Sequence, residues 1–275
     1  NNINGFLDVT PAKPNNVYFA SGNGNSVYKS NDRGASFVKV GNMSSNSVGY
    51  FAISDIDTLN MISGYLNLEG SNDGGVNFTQ INEWNKTIPN TKYTHADLRV
   101  AQCINGVFYI GTDGYFCRSS DFGNSWVRLN NGTGVREFYR IGISQSDKNV
   151  LMAGSQDNGT SILNEFGWLE WNGADGMEAI IHPLNRNIMV GSWQYGTRHL
   201  TLDGGESLIY SYNPEGDNNY ADWLAPLVID PADHMKIYHF SDKMFVSNQF
   251  GNPFTWSLVG SPKTFSLQHA AIAKN

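Results

Sequence analysis

A short segment recurs along this chain, and its spacing constrains the fold more than any other feature. Ser30-Asn31-Asp32-Arg33-Gly34-Ala35-Ser36-Phe37 returns as Ser71-Asn72-Asp73-Gly74-Gly75-Val76-Asn77-Phe78, and again as Ser119-Ser120-Asp121-Phe122-Gly123-Asn124-Ser125-Trp126. Thr201-Leu202-Asp203-Gly204-Gly205-Glu206-Ser207-Leu208 is a fourth copy with Leu at the aromatic position. Ser247-Asn248-Gln249-Phe250-Gly251-Asn252-Pro253-Phe254 is a fifth with Gln for the acid, and Glu165-Phe166-Gly167-Trp168 is a decayed sixth. Positions 32, 73, 121, 165, 203 and 249 are separated by 41, 48, 44, 38 and 46 residues. Periods of about 40–50 residues belong to units that bury their apolar faces only against neighbouring copies. Within each copy the acid accepts backbone N–H bonds of its own turn and the glycine takes a positive φ. The aromatic side chain is expected to plug the gap between adjacent sheets.

Strand-like runs stand where such a turn needs them. Asn16–Ala20 leads to Ser26–Lys29, and Gly106–Ile110 to Gly114–Cys117, while Asn187–Gly191 and Lys236–His239 read as second strands of later units. First strands read as Phe6–Val9, Tyr50–Ile53, Ala96–Arg99, Tyr139–Gly142, Met177–Ile180 and Leu224–Leu227. The fold class expected is therefore all-β: a β-propeller of four-stranded antiparallel blades. Six blades are visible, and a further strand over Phe265–Ala273 implies a seven-bladed or larger ring. The expectation is one propeller domain over residues 1–275, cut from a longer multidomain protein.

The repeat resembles the Asp-box, or BNR, family over nearly the whole chain. That resemblance implies that the turn closes the hairpin between the third and fourth strands. Asp32, Asp73, Asp121 and Asp203 are then structural and sit on one face of the blades. The opposite face carries the second-to-third-strand loops and the lead-ins to each first strand, among them Gln156-Asp157-Asn158-Gly159, Gly173-Ala174-Asp175-Gly176-Met177-Glu178 and Ser192-Trp193-Gln194-Tyr195-Gly196. Gln156, Asp157, Asn158, Asp175, Glu178, Trp193 and Tyr195 are the ligand-binding candidates, with His95 and Asp97 secondary. Tyr93, Thr112, Asp113, Tyr139, Arg140, Trp223 and His269 surround them. Amides and carboxylates beside aromatic rings suit a sugar, whose C–H faces stack while its hydroxyls bond, and suit a protein or peptide segment equally. Asp-Asn-Gly and Asp-Gly are also simply good turn formers.

The run Gln156–Gly159, Asp175-Gly176, Gln194–Gly196 and Asp203–Gly205 resembles secreted propeller proteins of Bacteroidetes, described as sortilin-like or glycosyl hydrolase-like. That resemblance implies export to the surface or medium, by the type IX route in proteins bearing a C-terminal sorting domain. A glycoside hydrolase of the xyloglucan-cleaving type is the alternative, with Asp157/Asp175 or Asp97/Asp175 as the carboxylate pair. That family's glycine-rich opening motif is missing. A sialidase needs three arginines and a Phe-Arg-Ile-Pro segment that this chain lacks.

Composition narrows the partners. A net charge of −7 and a pI near 5.3 disfavour nucleic acid and anionic membranes, and no apolar run is long enough to span a bilayer. The six histidines, at 95, 182, 199, 234, 239 and 269, show no metal-binding spacing, and neither a phosphate loop nor a nucleophile elbow is present, so no metal or cofactor is expected. Cys103 and Cys117 fall on the first and third strands of one blade, a separation that favours two buried thiols over a disulfide.

Overall fold

A computed structural model describes residues 5–44, 49–86, 90–216, 221–260 and 267–273. They form six four-stranded antiparallel sheets, each with its strands in sequence order, and one 3₁₀ turn at Gln194–Gly196. The chain divides into two compact units, Asn1–Gly134 and Val135–Asn275, of three sheets each. This is the blade organisation of the β-propeller class.

In the first unit the blades are Gly5–Val9, Val17–Ser21, Ser26–Ser30, Val38–Asn42; then Tyr50–Ile53, Met61–Gly64, Leu68–Ser71, Thr79–Gln80; then Leu98–Ile104, Val107–Thr112, Phe116–Ser119, Val127–Arg128. In the second unit the fourth blade is Phe138–Ile143, Leu151–Ser155, Gly159–Asn164, Gly167–Asn172. The fifth is Gly176–Ile181, Met189–Trp193, Arg198–Thr201, Tyr210–Tyr212, and the sixth is Leu227–Ile229, Ile237–Phe240, Met244–Ser247, Trp256–Leu258. Within each unit the first strands of consecutive blades pack on one another. Second and third strands are the most buried, and their Ile, Met, Val and Leu fill the seams. Ile162, Met152, Ala179 and Met189 join the fourth blade to the fifth, and Leu200, Val190, Leu227 and Ile237 join the fifth to the sixth.

Every acid–glycine turn falls between a third and a fourth strand. In the first blade Ser30 Oγ donates to Asp32 Oδ1 (2.6 Å) and accepts Gly34 N–H (2.8 Å), while Ser36 N–H and Oγ–H reach the same carboxylate (2.9 and 2.6 Å). The pattern repeats around Asp73, Asp121 and Asp203. These bonds favour the ionised form and hold Asp32, Asp73 and Asp203 at a pKa of about 2. In the sixth blade, where Gln249 replaces the acid, Ser247 Oγ still accepts Gly251 N–H and pairs with Thr255 Oγ1 at 2.7 Å.

Four details depart from the sequence reading. First, the aromatic closing the turn seals a seam only in part of the repeats: Trp126 is buried and Phe78 packs against a core, yet Phe37 and Leu208 are exposed and Phe254 wholly so. Phe122 and Phe250, one residue before the turn's second glycine, enter the seams instead. Second, the first strands of blades three and six start at Leu98 and Leu227, after Ala96-Asp97 and Leu224–Pro226. Asp97 has φ 60°, off the strand region, and Pro226 has no N–H for a ladder; its carbonyl and that of Ala225 accept from Arg198 instead. Third, residues 267–273 form no strand: Leu267 N–H donates to Ser241 O at 3.0 Å, but no ladder continues from that bond among the described residues, and Phe265 lies outside them. Finally, Cys103 is only half-buried. Both cysteines are thiols whose ionisation burial pushes up, to about 11 for Cys103 and about 12 for Cys117.

Candidate functional site

Antiparallel order places the second-to-third-strand loop and the lead-in to the first strand on one edge of a blade, and the acid–glycine turn on the other. The second unit shows that edge shared between neighbours. Asp175, leading into the fifth blade, accepts through Oδ1 both the backbone N–H of Asp157 (2.8 Å) and the side-chain amide of Gln156 (2.9 Å), from the loop of the fourth. The same amide donates to Asp157 Oδ1 at 3.2 Å. Two oxygens sharing one nitrogen are at most about 6 Å apart, the sum of those two bonds.

Local backbone makes this loop rigid. Asp157 and Gly159 have φ of 56° and 62°, and a Cβ on Gly159 would lie 1.6 Å from the carbonyl oxygen of Asn172, so glycine is obligatory there. Arg136 donates to the carbonyl of Asn158 (2.8 Å), and Gly159 N–H to Ala174 O (2.8 Å).

The amide of Gln156 also faces the aromatic residues. Tyr139 O–H donates to Gln156 Oε1, and Trp223 Nε1–H donates to Tyr139 Oη at 3.1 Å. Tyr195, half-exposed, meets Trp223 edge to face with ring centroids 5.3 Å apart, and its N–H donates to Trp223 O. Tyr195, Trp223, Tyr139, Gln156, Asp175 and Asp157 thus form one connected surface across all three blades of the unit. Bulges set its direction: the ladder skips Tyr139 between Phe138 and Arg140, and gains a residue between Gly176 and Ala179, next to Glu178. An extra residue re-aims the side chains around it.

Behind that surface the groups are buried and polar. Glu178 is 8% exposed; burial raises its pKa against the opposing pull of Arg198 and Arg140, whose Nε lies 3.4 Å away. Arg198, fully buried, bonds His239 Nδ1 (2.7 Å) and the carbonyls of Ala225 and Pro226, and His239 Nε2 meets Glu215 at 3.3 Å. Burial, aided by the Arg198 charge, lowers both His199 and His239 to about 4. Trp193 lies against His199 at 4.3 Å between ring centroids. Trp193 Nε1, both His199 ring nitrogens, Thr160 Oγ1 and Asn172 Nδ2 are buried without a hydrogen-bond partner among the described residues.

The secondary candidates lie in the first unit. His95 packs so closely over Gly114 that a Cβ there would sit 2.4 Å from the ring, and its Nδ1 is 3.0 Å from Ala96 O. The carbonyl of Asp97 accepts from Asp113 N–H, and Asp113 clamps Arg99 bidentately at 2.5 and 2.6 Å. His269 is exposed in the segment without a strand. Among the described residues no three metal-ligating side chains converge, and no helix is long and apolar enough to cross a membrane.

The sequence reading placed Tyr139, Arg140 and Trp223 near this site but missed Arg198, His199, His239 and Glu215. The signal available was Arg198-His199 within a strand otherwise bounded by Leu200 and Thr201, a charge set in a blade interior.

Against known proteins, no family model and no curated protein sequence matches the chain. Among solved structures it aligns with a GH74 enzyme of Niastella koreensis at 18% identity and TM-score 0.37, over 91% of this chain and 46% of that one. PorZ of Porphyromonas gingivalis, a surface component of the type IX secretion system, aligns at 13% identity and TM-score 0.45, over 93% and 35%. YCF48 of Cyanidioschyzon merolae aligns at 11% identity and TM-score 0.34, over 92% and 84%. The chain spans less than half the length of the first two. Likeness at these levels leaves the architecture resting on the sheets themselves.

Proposed function

We propose that this chain is a recognition module, resembling exported Asp-box propeller proteins, which holds a glycan or a protein segment on the edge opposite its acid–glycine turns. The observation that carries this reading is the connected surface from Tyr195 through Trp223, Tyr139 and Gln156 to Asp157 and Asp175. A half-exposed tyrosine supplies a stacking face, and fixed amide and carboxylate groups supply orientation without reorganising on binding.

Hydrolysis is supported less well. An inverting pair works at about 6.5–9.5 Å with open carboxylates, whereas Asp157 and Asp175 share one amide donor and Asp175 also holds the loop backbone. The test is a glycan array and a peptide array probed with the purified chain, beside a reducing-sugar assay on xyloglucan. Saturable binding without sugar release supports recognition. Release abolished by Asp175→Asn or Asp157→Asn replaces it with hydrolysis.

A further inference from the structure

A second site lies on the other edge of the fourth and fifth blades, at their acid–glycine side. There the structure has a groove of about 640 Å³ between the Asn164–Leu169 hairpin and the Asp203–Glu206 turn, floored by Val150 and Met189 and flanked by Arg186. Its origin is local. In the third and sixth blades the residue before the turn's second glycine is Phe122 or Phe250, and each ring reaches the preceding blade: the Phe122 ring lies over Gly70, 3.1 Å from where a Cβ would stand, and Phe250 meets His182 at 4.9 Å. In the fifth blade the corresponding residue is Gly204, so the turn itself sends no ring into that seam; Trp171 of the fourth blade packs there beside Gly205, and the space over Val150 and Met189 stays open.

The facing hairpin is the decayed repeat. With no serine–acid pair it turns in two residues and presents Phe166 and Trp168 to solvent, 92% and 57% exposed. The groove is acidic. Arg186 is already neutralised by Glu165 (2.8 Å) and Asp147 (2.6 Å), Asp203 is bonded within its turn, and Glu206 makes no ion pair among the described residues.

We infer that this groove binds an extended peptide by taking in one aromatic side chain, with a basic residue beside it meeting Glu206. The equivalent turn position carries a phenyl ring in two other blades, the groove is floored by apolar Val150 and Met189, and the surplus carboxylate charge favours a cationic neighbour over an anionic one. The site is independent of the recognition edge, because its residues come from the opposite turns.

The probe is the peptide acetyl-Gly-Lys-Phe-Lys-Gly-amide, followed by ¹⁵N chemical shifts of the Trp168 indole and the Gly204 and Glu206 amides. Saturable shifts are expected, absent with acetyl-Gly-Lys-Ala-Lys-Gly-amide and about tenfold weaker in apparent affinity for Glu206→Lys. Gly204→Phe places the chain's own ring in the groove. Phe122 and Phe250 hold φ of 55° and 47° in the same turn position, against 77° for Gly204, and the nearest atom to a new Cβ is the Asn187 side chain at 3.3 Å. This variant is expected to abolish the shifts and raise the melting temperature. Trp168→Ala, which leaves the turn untouched, is expected to weaken binding whether or not Gly204→Phe folds. Shifts that are absent, equal for both peptides or undiminished in Glu206→Lys and Trp168→Ala overturn the inference. So does a response to cellohexaose without one to the Phe peptide.

Discussion

Replacing Asp203 by alanine separates the two edges of the second unit. The carboxylate accepts Thr201 Oγ1–H at 2.6 Å, Ser207 N–H at 3.0 Å and Ser207 Oγ–H at 2.5 Å. An ordinary hydrogen bond contributes about 0.5–1.5 kcal/mol net, and a charged acceptor more. The group is mostly solvated, so screening holds each of these near the lower end, and the three together to about 2 kcal/mol. In a chain of this size that lowers the melting temperature by roughly 5 °C. Asp203→Asn keeps a carbonyl acceptor and is expected to lose about half as much. The sign with pH follows from the depressed pKa of about 2 against the ordinary aspartate value of 3.8. The contribution is complete above about pH 4 and disappears as the pH falls through 2, so wild type and Asp203→Ala converge there. Urea unfolding at pH 7, 4 and 2.5 reads all three quantities. Equal stability of the two proteins at pH 7, or a difference that grows toward pH 2.5, refutes the reasoning.

Other outcomes follow from the same geometry. Tyr139→Phe removes the hydroxyl between Trp223 and Gln156; it is expected to cost about 1 kcal/mol in denaturant unfolding and to weaken ligand binding about tenfold at unchanged fold. Gly159→Ala places a methyl into the Asn172 carbonyl at positive φ and is expected to destabilise by more than about 2 kcal/mol, read as faster hydrogen exchange at the Gly159 amide. His199 and His239, held near 4, stay neutral in the fold while the unfolded chain takes up protons below about 6.5. Stability therefore falls as pH drops from 6.5 to 4, by a ceiling of ~3 kcal/mol per ring, and calorimetry of His199→Phe should show a shallower slope in that window.

Much of the fold was legible because its determinants are local. The acid–glycine turn completes its hydrogen bonds within eight residues, so each copy announces one hairpin, and the spacing announces the blades. The meeting of Gln156, Asp157 and Asp175 was legible for the same reason, since strand parity alone puts both loops on one edge. What escaped depends on contacts between blades. Phe122 and Phe254 both stand beside glycine or proline in a repeat and both hold positive φ, yet one packs partly buried against the core and the other is fully exposed, because the seam geometry decides. His199 reads as a polar strand residue until Trp193 closes over it, and Gly204 reads as a good turn former until Phe122 and Phe250 show what it lacks. The strand expected over Phe265–Ala273 forms, among the described residues, no ladder beyond the Leu267 N–H bond to Ser241 O.

The division of labour between the two edges is tested most directly by probing one glycan and peptide array with three proteins at equal concentration: wild type, Asp175→Asn and Asp203→Asn. Asp203→Asn is predicted to keep the wild-type profile on the recognition edge while melting earlier, and Asp175→Asn to lose that profile. A profile that survives Asp175→Asn but is erased by Asp203→Asn, with both variants folded, contradicts the account.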